Sequence, residues 1–357
     1  MKVSVIGIRG FPEVEGGVEK HCEALCPLIG KDIQLTVYRR KPYVVSDGDY
    51  SNISFVDLPS TTIKGFETVL HSFLSSVHAV IRKPDLVHYH NIGPALFSPI
   101  VKLRHIPVVL TYHSANYEHA KWGRFAKALL RFSEKVALGT ADRIIFVNKF
   151  QMQKYPEEIQ RKSVYIPNGV REIEHADNTE YLDEIHLEKK KYILSVGRIT
   201  PEKGFDTLIK AYKKADKKDY KLVITGGVEF EKDYMNLLKE LSEGEEVIFT
   251  GKQQGSHLAQ LYENAGLFIL PSNNEGFPLV MLEAMSYHLD MIVSDIPATR
   301  LVSLNEEDYF EKGSVEILAG KITERLKDIK RRNYDLSGYN WQRIADTVSD
   351  IYRSMIR

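Results

Sequence analysis

Short runs rich in β-branched and aromatic residues alternate with helical patterns along the whole chain, and this alternation restricts the fold more than any other feature. The runs are "KVSVIGI", "IQLTVY", "ISFVDL", "DLVHYH", "PVVLTYH", "RIIFVN" and "SVYIP", then "KYILSVG", "KLVITGG", "EVIFTG", "LFILPS" and "MIVSD". Segments of helical period, such as 17–28, 66–81 and 127–137, lie between many of them. Strand, helix, strand in repetition gives parallel sheets covered on both faces. Twelve such strands are too many for one sheet of this kind. The expectation is therefore α/β, with two doubly wound, Rossmann-like domains facing across a cleft.

The two series are separated by a charged, aperiodic stretch, "REIEHADNTEYLDEIHLEKKK". It follows "SVYIPNGV" and precedes the strand that starts at Tyr192. This reads as a first domain over 1–171, a linker over 172–190 and a second domain from 191. A length of 357 residues suits two domains of ordinary size.

Lys+Arg and Asp+Glu number 48 each, so no global charge argues for a nucleic-acid partner. The opening "MKVSVIGIRG" reaches glycines and a charge too soon for a signal-peptide core, and no apolar run approaches the roughly 20 residues of a spanning helix. A cytoplasmic location is the expectation. Cys22 and Cys26 would be neighbours on one helix face. With no third cysteine or nearby histidine pattern they read as packed, reduced thiols, and no metal site is expected.

Ligands of open α/β sheets bind at the carboxyl ends of strands, so those ends hold the candidates. After the first strand, Gly16 and Gly17 stand at the start of a helix, where backbone can approach a ligand closely and amides face it. An ordinary tight turn is the competing reading. A dinucleotide fingerprint is excluded by the glycine spacing and by Arg39-Arg40, which stand where a ribose-binding acid is wanted. His90, Asn91 and His113 end two further strands, where imidazoles and amides can grip hydroxyls or serve as structural hydrogen-bonding groups.

In the second series, "SVGRITPEKGFD" places Arg198 just past a strand and Lys203 in the same loop. A guanidinium and an ammonium converging there suit a diphosphate. In "LFILPSNNEGFPLVMLEAM" a helix should begin at Phe277 or Pro278. Glu275 then lies in the loop before it, and free amides around Gly276 to Val280 could cradle an anion. Leu279, Val280 and Leu282 read as the core face. Glu283 lies in a strongly apolar run, where a carboxylate is costly without donors to bind.

Together, "GGVEKH", "HYHNIGP", "TYH", "IPNGV", "VGRITPEKG" and "NEGFPLVMLEAM" resemble, in order and spacing, the retaining GT-B glycosyltransferases of family 4. "KWGRFAKALLR" looks like a bacterial branch that builds surface polysaccharide or lipopolysaccharide. The resemblance implies a hexosyltransferase (EC 2.4) that retains anomeric configuration. Its donor would be a sugar nucleotide, UDP-hexose before GDP-mannose, and its acceptor a glycan or lipid-linked glycan. Arg198 and Lys203 would hold the diphosphate, Glu283 the ribose, and Glu275 with the amides of Gly276 and Phe277 the sugar. Gly16 and Gly17 would approach the diphosphate, and His113 would lie beside the sugar. Asn168 would mark the crossing between domains. The second domain would run to 338, and a helix in 339–357 would cross back to the first.

The resemblance also implies no cofactor and no metal. The chain's only D-x-D, Asp47-Gly48-Asp49, follows no strand, and cationic side chains and amide dipoles would take a metal's place. Two other readings compete: a sugar-nucleotide epimerase or hydrolase of the same fold, and a non-catalytic sugar-nucleotide binder. The chain departs from the family at His288 and Asp290, where a Gly and a Pro are usual, and at Ser114 and Asn116. Finally, Lys121, Arg124, Lys127, Arg131 and Lys135 alternate with Trp122, Phe125, Leu129, Leu130 and Phe132. That segment, 121–135, either rests on anionic membrane or packs its apolar face on the sheet with its cations solvated.

Overall fold

The computed structural model describes residues 1–357 apart from 15, 62, 64, 65, 116–122, 171, 172, 174, 177, 229–231 and 357. Seven strands form one sheet: β1 (Lys2–Ile6), β2 (Gln34–Arg40), β3 (Ile53–Leu58), β4 (Leu86–His90), β5 (Val108–Tyr112), β6 (Arg143–Phe146) and β7 (Ser163–Tyr165). Six form another: β8 (Tyr192–Val196), β9 (Lys221–Thr225), β10 (Val247–Gly251), β11 (Leu267–Leu270), β12 (Asp290–Ser294) and β13 (Tyr309–Phe310). Their orders are β3-β2-β1-β4-β5-β6-β7 and β10-β9-β8-β11-β12-β13. Neighbouring strands run parallel, as at β1–β4 and β8–β11. The strands β4, β5, β8 and β12 are buried at every position, as a sheet covered on both faces requires. The expected α/β class with two parallel sheets is the observed one. β13 has no counterpart among the twelve expected strands, because two residues carry no readable period.

The chain divides into two compact units, Met1–Gly169 with Ser337–Arg357, and Val170–Leu336. In the first, the helix Trp341–Met355 is amphipathic and sends Trp341, Ile344, Ala345, Val348 and Tyr352 into the core around β1 and the helix Gly17–Leu25. Gly169 makes room for it, since a Cβ there would lie 2.4 Å from the Trp341 ring. In the second unit, part of the charged stretch between the two series is ordered as a short helix, Glu180–Glu184. The Tyr181 amide donates to Gln260 Oε1 at 3.0 Å, and its ring stacks on His257.

The turn before β12 places His288 at φ 57°, a conformation that favours glycine, so this departure from the resembled pattern carries backbone strain. The other departure, Asp290, is 1% exposed and ion-paired with both Arg325 and Arg332. Both guanidiniums also bind Asp308, at 2.9 and 2.8 Å. A buried charge network thus stands where the resemblance implies a proline.

Candidate functional site

Each sheet reverses its strand order once, at β1/β4 and at β8/β11. Open parallel sheets bind ligands just beyond the carboxyl ends of the strands at such reversals. Most of the candidate residues lie there, and each unit can be built separately.

In the second unit the loop after β8 carries Arg198 and Lys203, and the loop after β11 carries Glu275. Gly204 lets the two loops touch. It sits at φ 67°, and a Cβ would lie 2.3 Å from the Pro271 carbonyl oxygen. The Asn273 amide donates to the Glu202 carbonyl at 2.7 Å, closing the seam. Across it, Lys203 Nζ donates to Glu275 Oε1 at 2.6 Å, and the Ser272 hydroxyl donates to the same oxygen at 2.7 Å. These side chains are only 16% and 10% exposed, so the pair is largely removed from water. The resemblance implied that Lys203 and Glu275 hold different parts of a ligand, and the structure joins them to each other. An incoming phosphate would compete with Glu275 for the ammonium. Arg198 is half-buried in the same loop.

The following helix spans Leu279–Ser286, starting later than expected because Pro278 is its N-cap, at φ −80° and ψ 94°. Its buried residues include Met281, Leu282, Ala284 and Met285. Leu279 and Val280, expected in the core, are half-buried at the helix start, while Phe277 and Pro278 are buried and Gly276 is half-buried. The first amides of a helix lack intrahelical partners and lie at its positive end. Glu283 lies one turn in, half-buried, and accepts a hydrogen bond from the buried Tyr262 hydroxyl at 2.9 Å. Tyr262 also stacks face to face on Tyr287. Burial, and then the Glu283 charge, push the phenol's pKa well above its usual value, so it stays a donor.

In the first unit the loop after β1 lies against the end of β4. Gly7 sits at φ 118°, and a Cβ there would be 2.2 Å from the His90 carbonyl oxygen. Gly16 caps the helix Gly17–Leu25, and Glu19 on that helix accepts from the Arg9 amide at 3.0 Å. His90 Nδ1 lies 3.1 Å from His113 Nε2, and the rings stack. Asn91 follows at φ 74°, its Oδ1 buried and unpartnered among the described residues. His21 joins the cluster, its Nδ1 2.7 Å from Asn168 Oδ1. Asn168, expected at a crossing between domains, is a buried partner of His21 and lies one residue before the first unit's segment ends at Gly169. His88 lies beneath, bonded to Thr111 Oγ1 and the Tyr352 hydroxyl at 2.7 and 2.6 Å. Burial lowers the pKa of His21 to about 4 and of His88 to about 3. His90 and His113 are likewise held well below 6.5, chiefly by burial and then by the neighbouring imidazoles. All four are neutral at pH 7, each with one N–H and one lone pair to offer.

Sequence reasoning missed His21, His88, Tyr262 and Ser272 as site residues. His21 lay inside the quoted string "GGVEKH", but nothing local distinguished Tyr262, which reaches Glu283 only through the fold. Asp47 of the D-x-D is exposed and bound to the buried guanidinium of Arg39 at 2.6 Å. On the helix Arg124–Thr140, Ala137 and Leu138 are buried, whereas Leu129 and Phe132 are 37% and 58% exposed beside the exposed Arg131 and Lys135. Asn116, Lys121 and Trp122, like the Phe125 side chain, lie outside the described residues. Among those described, no helix is long and apolar enough to cross a membrane.

Comparison with known proteins matches residues 15–172 to the family Glycosyltransferase Family 4 and residues 177–341 to Glycosyl transferases group 1. An amylovoran biosynthesis glycosyltransferase of Erwinia amylovora is 23% identical over 61% of this chain and 62% of its own length. The UDP-Gal:alpha-D-GlcNAc-diphosphoundecaprenol alpha-1,3-galactosyltransferase of Escherichia coli is 26% identical over 79% of each chain. Among solved structures, the sucrose-phosphate synthase of Thermosynechococcus elongatus superposes with a TM-score of 0.81 at 20% identity, covering 99% of this chain and 98% of that one.

Proposed function

We infer, from a chain that belongs to the GT-B glycosyltransferases through its Glycosyltransferase Family 4 and Glycosyl transferases group 1 domains, that it moves a hexose from a nucleotide diphosphate sugar to a glycan or lipid-linked acceptor with retention of configuration. A UDP-sugar is favoured and GDP-mannose comes next. The observation that carries this reading is the pair of loops sealed at the β8/β11 reversal, with Lys203, Glu275 and Ser272 bonded together and Glu283 held by Tyr262. Arg198 and Lys203 are assigned to the diphosphate. Lys203 would exchange its contact with Glu275 for phosphate and stabilise the leaving group as charge develops. Glu275, with the amides of Gly276 and Phe277, is assigned to the sugar, and Glu283 to the ribose. Pro278, Leu279 and Val280 supply the helix start. Gly16 and Gly17 are assigned to the diphosphate, and His90, Asn91 and His113 to donor hydroxyls.

In the proposed step the bond from the anomeric carbon to the phosphate oxygen breaks and a bond to the acceptor oxygen forms on the same face. The acceptor proton passes to a donor phosphate oxygen, so no protein carboxylate acts as nucleophile. The positive charge is supplied by Arg198, Lys203 and helix-start amides, and the reaction is read as metal-independent. The name of the Escherichia coli relative, a transferase acting from UDP-Gal on a diphosphoundecaprenol-linked sugar, supports a UDP donor and a lipid-linked acceptor in surface-polysaccharide synthesis. Exposed Leu129 and Phe132 beside Arg131 and Lys135 support peripheral contact with anionic lipid.

The deciding experiment compares the wild type with Lys203→Ala. Loss of turnover by orders of magnitude beyond any loss of donor affinity supports a transferase. A matching loss of affinity alone indicates a binder, and donor breakdown without acceptor indicates an epimerase or hydrolase.

A further inference from the structure

We propose that His21, His90 and His113 form a binding site, inside the first unit, for an imidazole-preferring divalent cation of the zinc class. One ligand atom from each lies within 4.8 Å of the other two, and all three residues are buried. Tetrahedral zinc places its nitrogen ligands about 3.3 Å apart. His90 Nδ1 and His113 Nε2, at 3.1 Å, already have close to that spacing, and a nitrogen of His21 lies within 4.8 Å of both.

The sequence pointed away from a metal because the two cysteines had no third cysteine or histidine pattern of metal-ligand spacing beside them. The fold supplies what the sequence separated: Cys22 Sγ lies 3.5 Å from His90 Nδ1. Two features favour coordination over a merely packed cluster. The Nε2 of His21 is buried without a hydrogen-bond partner among the described residues, and such an atom is costly unless something binds it. Asn168 Oδ1 faces His21 Nδ1 at 2.7 Å, which fixes the proton on Nδ1 and turns the Nε2 lone pair toward a ligand. This is how an outer-shell carbonyl orients a metal-binding histidine. On binding, the proton shared between His90 and His113 would move to the far nitrogen of one ring, and Cys22 could become a fourth ligand by releasing its proton.

The site does not depend on the transferase reading. One consequence does: a cation that holds His113 withdraws it from the donor sugar, so the metal would inhibit transfer.

The test reads metal binding directly on the full chain stripped with chelator. Calorimetry with Zn²⁺ and visible absorption with Co²⁺ should show one saturable site and a tetrahedral cobalt spectrum. His21→Gln should weaken Zn²⁺ binding by roughly tenfold or more. His113→Gln, at the edge of the cluster, serves the same purpose if His21→Gln does not fold. No saturable site, an octahedral cobalt spectrum, or wild-type affinity in a folded variant overturns the proposal, and none of these outcomes bears on glycosyl transfer.

Discussion

Glu275 and Glu283 flank one apolar run, and the fold gives them different company. Glu275 is held by Lys203 and Ser272, and Glu283 by the Tyr262 hydroxyl. If the first faces the sugar and the second the ribose, Glu283→Ala should raise the donor KM with a small change in kcat. Glu275→Ala should lower kcat as well, and steady-state kinetics showing the reverse pattern contradicts both assignments. Tyr262→Phe removes a hydrogen bond to a carboxylate, a loss of about 1.5–3 kcal/mol. Donor affinity should therefore fall roughly tenfold or more while kcat holds, and a fall confined to kcat would mean that Tyr262 does not position Glu283. The two glutamates, Lys203 and Arg198 were legible as candidates because each sits in a short local string after a strand. Tyr262 and His21 were not, because their meaning lies in partners distant along the chain.

At the scale of elements, glycines and buried charges decide how the loops meet. Gly204→Ala would set a Cβ against the Pro271 carbonyl in a left-handed conformation. We expect a loss of stability of about 1–3 kcal/mol together with weakened donor binding, since the same seam carries Lys203 and Glu275. A thermal melt of this variant that matches wild type would show the seam to be loose. Asp290→Ala leaves Arg325 and Arg332 in a buried network with only Asp308 as its core acid. Removing one partner from such a network costs about 3 kcal/mol or more, read as a lower denaturation midpoint. The strands were legible from their apolar runs, since sheets buried on both faces leave long ones. β13 and the helix Glu180–Glu184 were too short for any period to register. The helix after Glu275 starts late because Pro278, at ψ 94°, is still extended.

At the scale of the whole molecule, two sheets could be read from strand number alone, and the matched family domains meet close to the division after Gly169. What the sequence could not show was the accumulation of neutral histidines inside the first unit. His21 and His71 have pKa values lowered to about 4 and His88 to about 3, while unfolded histidine titrates near 6.5. The unfolded chain then binds more protons than the folded one between these values. Stability from this source is complete above about pH 6.5 and is lost as pH falls toward about pH 4. The melting temperature of the metal-free chain should drop steeply between about pH 7 and about pH 5, and a flat profile there would mean that these imidazoles are not buried neutral. The central claim, that the second unit is built to hold a sugar nucleotide, is tested most directly by thermal melts of wild type and Glu283→Ala against a panel of sugar nucleotides. A ligand that binds only the folded state raises the melting temperature by mass action. The account predicts a clear upward shift of the wild type with a UDP-hexose and a much smaller one in Glu283→Ala, whereas no shift with any sugar nucleotide, or equal shifts in both proteins, would contradict it.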